Sequence, residues 1–203
     1  MWSYFILSNI YKCIYIKDLF GIYRTGSTVS KRYFVMRIGI ISDTHDNLDA
    51  VREAVKIFRK KKVGLVLHLG DIISPFTLRF FKDEGINRLI AVYGNNCGDR
   101  LYLKRVADYL GYSIYEWPYN LNINGVSIVM IHGVGTLSRE LAETFAKTKN
   151  YDVVLYGHTH VPDIRNYEDA LIVNPGEACG YLTGRRTVVI FDISKKEAEL
   201  EEF

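Results

Sequence analysis

Arg37-Ile38-Gly39-Ile40-Ile41-Ser42-Asp43-Thr44-His45-Asp46 begins as a short isoleucine-rich run and ends on two carboxylates around an imidazole. An apolar run of this length, closed by a polar turn, reads as a β-strand buried on both faces. The same pattern recurs down the chain. Gly64 to Leu69 leads into Gly70-Asp71, and Leu89 to Tyr93 into Gly94-Asn95-Asn96. Val126 to Ile131 leads into His132-Gly133, and Val153 to Tyr156 into Gly157-His158-Thr159-His160.

Between these runs lie helical patterns. Leu48, Val51, Val55 and Phe58 share one helical face, with Asp46 or Asn47 placed to cap its start and lysines near its end. Further helices are predicted over about Thr77 to Lys82, Leu101 to Leu110 and Leu137 to Lys147. Alternating strands and helices make the first half a series of parallel βαβ units. After the last histidine, Asp163 to Tyr167 and Leu171 to Asn174 flank a turn at Glu168-Asp169. Thr187 to Asp192 and Glu197 to Glu201 flank another around Lys195. These read as an antiparallel region that makes or completes a second sheet. The predicted fold is α/β: two packed β-sheets flanked by helices in a single domain.

In such folds ligands bind beyond the carboxyl ends of the strands, and every polar loop quoted above sits there. A lone Gly-Asp or Asn-Gly turn says little. Together, Asp43, His45, Asp71, Asn95, His132, His158 and His160 offer two carboxylates, one amide oxygen and four imidazoles. That is about what two adjacent divalent ions require if one carboxylate bridges them. Imidazole-rich shells with carboxylate and amide oxygen suit Mn²⁺, Fe²⁺, Co²⁺, Ni²⁺ or Zn²⁺ better than Mg²⁺ or Ca²⁺.

The order of these motifs resembles the calcineurin-like metallophosphoesterases, in particular the small bacterial and archaeal phosphodiesterase branch that includes the Vps29 scaffolds. The resemblance runs from Met36 to about Ile193. It is carried by Gly39 to Asp46, by Gly157 to His160, and by Asn174-Pro175-Gly176-Glu177-Ala178-Cys179-Gly180-Tyr181-Leu182-Thr183-Gly184. It implies that Asp43, His45 and His160 hold one metal and that Asn95, His132 and His158 hold the other, with Asp71 bridging. It also implies attack of a metal-bridging hydroxide on phosphorus, with manganese or nickel as the tilt for activity. Asp71, Asn96 and His132 are the candidate catalytic residues. Larger family members place a histidine directly after the asparagine ligand, where this chain has Asn96. An amide cannot serve as a general acid, so a contribution of roughly 10²- to 10⁴-fold is absent and esters with good leaving groups are preferred.

Other residues take plainer readings. His68, inside a strand, is expected to be buried and hydrogen-bonded. Cys97 and Cys179 lack paired spacing and read as structural thiols. Asp46 and Asp99 read as helix caps or loop acceptors. Gly180 to Gly184 reads as a tight turn. Arg100, Arg185 and Arg186 read as solvated side chains, with a phosphate clamp as the sharper alternative.

Residues 1–35 hold nine aromatics and no motif. Lys12, Lys17 and Asp18 interrupt the apolar stretch well short of the roughly 20 residues of a membrane span, and no signal-peptide cleavage pattern follows. Met36 stands directly before the first strand, so translation is expected to start there, with 36–203 as the domain. Removing the extension's five basic and one acidic residues from totals of 26 and 23 leaves 21 and 22. The net charge thus moves from +3 to −1, which disfavours a grip on long nucleic acid. Three cysteines without pairing suggest a reducing cytoplasm. The expected substrate is a small phosphodiester, with no membrane partner and homo-oligomerisation left open. The alternatives are a non-catalytic Vps29-like scaffold and a phosphomonoesterase.

Overall fold

The computed structural model describes residues 37–203, so the N-terminal extension and the expected start at Met36 lie outside the described residues. β1 (Arg37–Ile41), β2 (Val63–His68), β3 (Leu89–Val92) and β4 (Ser113–Tyr115) run parallel. They are connected by α1 (Leu48–Lys60), α2 (Pro75–Asp83) and α3 (Arg100–Leu110). A second sheet takes β5 (Tyr119–Ile123), β6 (Val126–Met130), β7 (Val153–Leu155), β8 (Pro162–Tyr167) and β9 (Ala170–Pro175), with α4 (Ser138–Lys147) between β6 and β7. β10 (Thr187–Asp192) and β11 (Glu197–Glu202) close the chain.

Two-residue alternation sorts the side chains into layers. Ile38, Ile40, Leu65, Leu67, Leu69, Ile90 and Val92 face the second sheet and meet Leu121, Ile128, Met130, Leu155 and Val173. Their strand neighbours Ile41, Val66 and Ala91 face outward onto Val51, Val55, Phe58, Leu78 and Leu103 of α1 to α3. On the far side, Val129, Ile131, Val154 and Ile172 pack on Ala142 and Ala146 of α4. The result is four layers, helices outside and two sheets within, as the predicted α/β class requires.

The local signals act as their chemistry dictates. Asn47, not Asp46, caps α1 by accepting from the Ala50 N–H at 3.2 Å, and Asp99 caps α3 through the Tyr102 N–H at 2.9 Å. Asp46 instead accepts from Ser74 N–H and the Thr77 hydroxyl, tying the first loop to the start of α2.

The strands differ from the sequence expectation in two ways. β4 and β5 add to the expected set: β4 has only three residues, and the asparagines of Tyr119-Asn120-Leu121-Asn122-Ile123 mask the alternation of β5. The Asn124-Gly125 turn between β5 and β6 carried the hairpin signal. The antiparallel region also does not stay together. The β8–β9 hairpin joins the second sheet beside β7, whereas β10 and β11 pair antiparallel onto β1 at the edge of the first.

Candidate metal centre

All the motif loops leave parallel strands at the same edge, and backbone hydrogen bonds lace them together. The Asp43 N–H donates to Gly70 O, His45 N–H to Asp71 O, and Gly157 N–H to His132 O. Five of the seven candidate ligands have left-handed backbones: Asp43 (φ 52°), His45 (42°), Asp71 (59°), His158 (68°) and His160 (62°). Such conformations cost on the order of 1–3 kcal/mol each and persist where surrounding structure enforces them. Here they bend each loop sharply at the strand end and turn its side chain back over the sheet edge.

The seven donors converge in two overlapping groups. Donor atoms of Asp43, His45, Asp71 and His160 lie within 4.8 Å of one another. His160 Nε2 is 3.3 Å and His45 Nε2 3.9 Å from Asp43 Oδ1. In the other group, His132 Nε2 lies 3.0 Å from Asn95 Oδ1 and 3.3 Å from His158 Nδ1. Asp71 stands between the groups, with Oδ2 3.4 Å from His45 Nε2 and Oδ1 3.4 Å from His132 Nε2.

Tautomers follow from the acceptors. His132 Nδ1 meets the Leu69 carbonyl at 2.7 Å and must donate to it, so its Nε2 lone pair faces Asn95 Oδ1 and Asp71. Lone pairs facing one another at this separation repel unless a cation lies between them. Asp43 Oδ1 and His45 Nε2 are buried and make no hydrogen bond among the described residues. A buried polar atom left without a partner is costly, and a divalent ion would satisfy both. The donor set therefore fits the metal centre that its composition suggests.

Burial pushes the Asp43 carboxyl up to about 7 and the neighbouring Asp71 charge adds to it, against the lowering pull of its hydrogen bonds and of His160, so this carboxylate needs a cation beside it to stay ionised. Burial acts the same way on Asp71, but His132, the two hydrogen bonds from Asn96, and His45 outweigh it and hold that carboxyl below its ordinary value. Burial also lowers His45 and His132, keeping their imidazoles neutral as ligation needs.

Asn96 turns toward Asp71: its N–H donates to Oδ1 and its side-chain amide to Oδ2, both at 2.8 Å. His68 is buried on the helix side, accepts from the Gly70 N–H at Nδ1 and donates from Nε2 to the Thr44 hydroxyl. Cys97 Sγ accepts from the Gly94 N–H. Cys179 lies beside His45 and His160, but its thiol donates to Glu177, and burial pushes it up to about 12. Arg100 is paired with Glu116 and also donates to the Gly94 carbonyl beside Asn95, and Arg185 is paired with Glu202.

Neither residue type nor spacing singles out Glu177 in the sequence. It is buried, accepts from His160 Nδ1 at 2.7 Å, and takes further hydrogen bonds from the Cys179–Thr183 turn. Burial alone would raise its carboxyl, yet His160, the Thr183 N–H and hydroxyl, and Cys179 together hold it at about 2. Its place in the quoted Asn174-to-Gly184 stretch was the available signal. Asn174 is likewise silent in the sequence. Its amide donates to Gly157 O and the Thr159 hydroxyl, bracing the loop that carries His158 and His160.

A four-layer sandwich with this donor set at one sheet edge defines a class, the metal-dependent phosphoric ester hydrolases. The chain belongs to the calcineurin-like phosphoesterase superfamily, whose domain profile matches residues 36–196. It is 42% identical over 163 residues to a phosphodiesterase of Methanocaldococcus jannaschii, covering 80% of this chain and 96% of that protein. A solved archaeal phosphodiesterase shares 39% identity at a TM-score of 0.75, covering 83% of this chain and 100% of that one. Vps29 of Chaetomium thermophilum shares the fold at 17% identity and a TM-score of 0.62, over 83% and 97% of the two chains. No helix among the described residues is long and apolar enough to cross a membrane.

Proposed function

We propose that this protein is a dinuclear metal-dependent phosphodiesterase acting on a small diester. Asp43, His45 and His160 would hold one ion, and Asn95, His132 and His158 the other. Asp71 would be shared. The observation that carries this reading is Asp71 itself, whose two oxygens face histidines of different groups at 3.4 Å each. The 42% identity to a named phosphodiesterase supports it. Bound divalent ions supply Lewis acidity, activating water and neutralising charge on phosphoryl oxygens.

The chain's own residues do the rest. Asn96 fixes both oxygens of Asp71, and as an amide its second N–H could offer a leaving oxygen a hydrogen bond but no proton. Phe76, Tyr102, Val134 and Val161 are exposed large apolar side chains on segments that follow β2, β3, β6 and β7, and Tyr181 and Leu182 are exposed in the turn after β9. Exposed apolar side chains on these segments suit a diester with an apolar or aromatic substituent better than a polyanionic strand. Exposed apolar side chains are also what a scaffold reading would draw on, since protein docking sites use them.

The decisive experiment is hydrolysis of an activated aryl phosphodiester by metal-stripped protein as Mn²⁺, Ni²⁺, Zn²⁺ or Mg²⁺ is restored, beside Asp71→Asn and His132→Ala. Metal-restored turnover lost in both variants is the expected result. Metal binding without turnover would transfer the assignment to the scaffold. Manganese or nickel is the expected preference, and a cytoplasmic location fits the unpaired cysteines.

A further inference from the structure

We propose that Glu177 is a positioning residue of the metal centre: its carboxylate grips the Nδ1–H of His160, so that Nε2 is presented beside Asp43. This rests on the metal-dependent reading and adds a residue to it.

A carboxylate only accepts hydrogen bonds, so the 2.7 Å contact to His160 Nδ1 requires the proton on that nitrogen. The Nε2 lone pair then points outward, 3.3 Å from Asp43 Oδ1. Glu177 is itself held from every side. Oε1 accepts from the Thr183 hydroxyl at 2.7 Å and from the Leu182 N–H at 3.0 Å. Oε2 also takes the Cys179 thiol at 3.1 Å.

The backbone is equally fixed. The Glu177 carbonyl accepts from the Thr187 N–H, tying the residue to β10. Before it, Gly176 has φ +77°, and a Cβ there would come within 2.4 Å of the Thr187 hydroxyl. The carboxylate therefore has one available placement, and it transmits that placement to the imidazole. Carboxylates that hold a ligating histidine by its second nitrogen set both ring orientation and tautomer, and their loss commonly costs 10–100-fold in metal affinity.

Glutamine is the informative replacement. Its single carbonyl oxygen is drawn to the Leu182 and Thr183 N–H groups, which turns its NH₂ toward His160 Nδ1. The ring then accepts at Nδ1 and carries its proton on Nε2, where a metal would bind. Thr183→Val is the companion variant: it removes one hydroxyl donor to Glu177 Oε1, leaves the Leu182 and Thr183 N–H donors that hold that oxygen, and leaves the His160 contact to Oε2 in place.

The test is titration of metal-free full-length wild type, Glu177→Gln and Thr183→Val with Co²⁺, followed by visible absorption and by equilibrium dialysis for stoichiometry. The expected result is two ions in each protein, with one of the two affinities 10–100-fold weaker in Glu177→Gln only. Wild type that binds no Co²⁺ would overturn the metal-dependent reading, and the positioning role with it. Two ions at unchanged affinities in Glu177→Gln would overturn the positioning role alone. So would an equal loss in Thr183→Val, which would reduce Glu177 to a loop brace. If Glu177→Gln does not fold, the wild type still decides through long-range ¹H–¹⁵N spectra of its imidazoles. His160 must carry a proton on Nδ1, and an Nδ1 without one in the metal-free protein would refute the proposal.

Discussion

Gly94→Ala isolates the demand that the site makes on a backbone. Gly94 is absent from the left-handed region, so alanine is conformationally acceptable there and only its volume matters. A Cβ at this position would lie 2.1 Å from Asp71 Oδ1 and 2.4 Å from the Asp71 backbone nitrogen. Carbon and oxygen approach to about 3.3 Å at closest, so the carboxylate must retreat by about 1 Å. The nearby backbone nitrogen means that the loop, and not just a side-chain torsion, has to give. Metal coordination tolerates only about ±0.2 Å, and a displacement of about 1 Å at reacting groups can cost about 100-fold in rate. The expected outcome is Mn²⁺ affinity weakened at least about tenfold and diester turnover reduced about 100-fold, measured by calorimetric titration and steady-state hydrolysis. Gly39→Ala is the control, because its Cβ would press on the Phe58 ring at 2.7 Å, inside the core and remote from the ligands. It should lower stability by about 1–3 kcal/mol and leave metal affinity intact. Gly94→Ala with wild-type affinity and turnover would refute the assignment of Asp71 as the shared ligand.

Two other outcomes follow from the same geometry. Burial holds the His68 imidazole down at about 3, against 6.5 in the unfolded chain, so between those values the unfolded state binds one proton more than the native state. Its stabilising contribution is therefore complete above pH 6.5 and falls as the pH drops toward 3, by on the order of 5 kcal/mol. Urea midpoints of metal-free protein should decline more steeply with acid in wild type than in His68→Gln, and parallel profiles would exclude this account. Separately, Asn96→His supplies the proton donor that the proposed mechanism lacks on the leaving-group side. It should accelerate a poor-leaving-group diester more than an activated one, with a gain approaching about 10²-fold. Equal effects on the two substrates would sink the assignment of Asn96 to the leaving-group side.

Much of this protein is legible in the chain alone, because strand and helix periods are local properties of sequence. Ile38, Ile40 and Ile41 declare a strand buried on both faces, and the polar loop that ends it places Asp43 and His45 at a carboxyl edge. The same reasoning locates Asp71, Asn95, His132, His158 and His160, which all converge in the fold. What the sequence could not decide depends on contacts between distant segments. Whether β10–β11 extends the first sheet or the second turns on the pairing of Ile38 with Phe191, 153 positions later, and either hairpin has the same alternation. Glu177 reads as an ordinary surface-loving residue until the fold buries it against His160 and closes the Cys179–Thr183 turn around its oxygens. Asn96 occupies a motif position in the sequence, but only the folded loops aim both its amide groups at Asp71. Residue type and spacing determined which atoms could bind a metal. Tertiary structure decided which neighbours orient them, because burial and hydrogen-bond direction exist only once the loops meet.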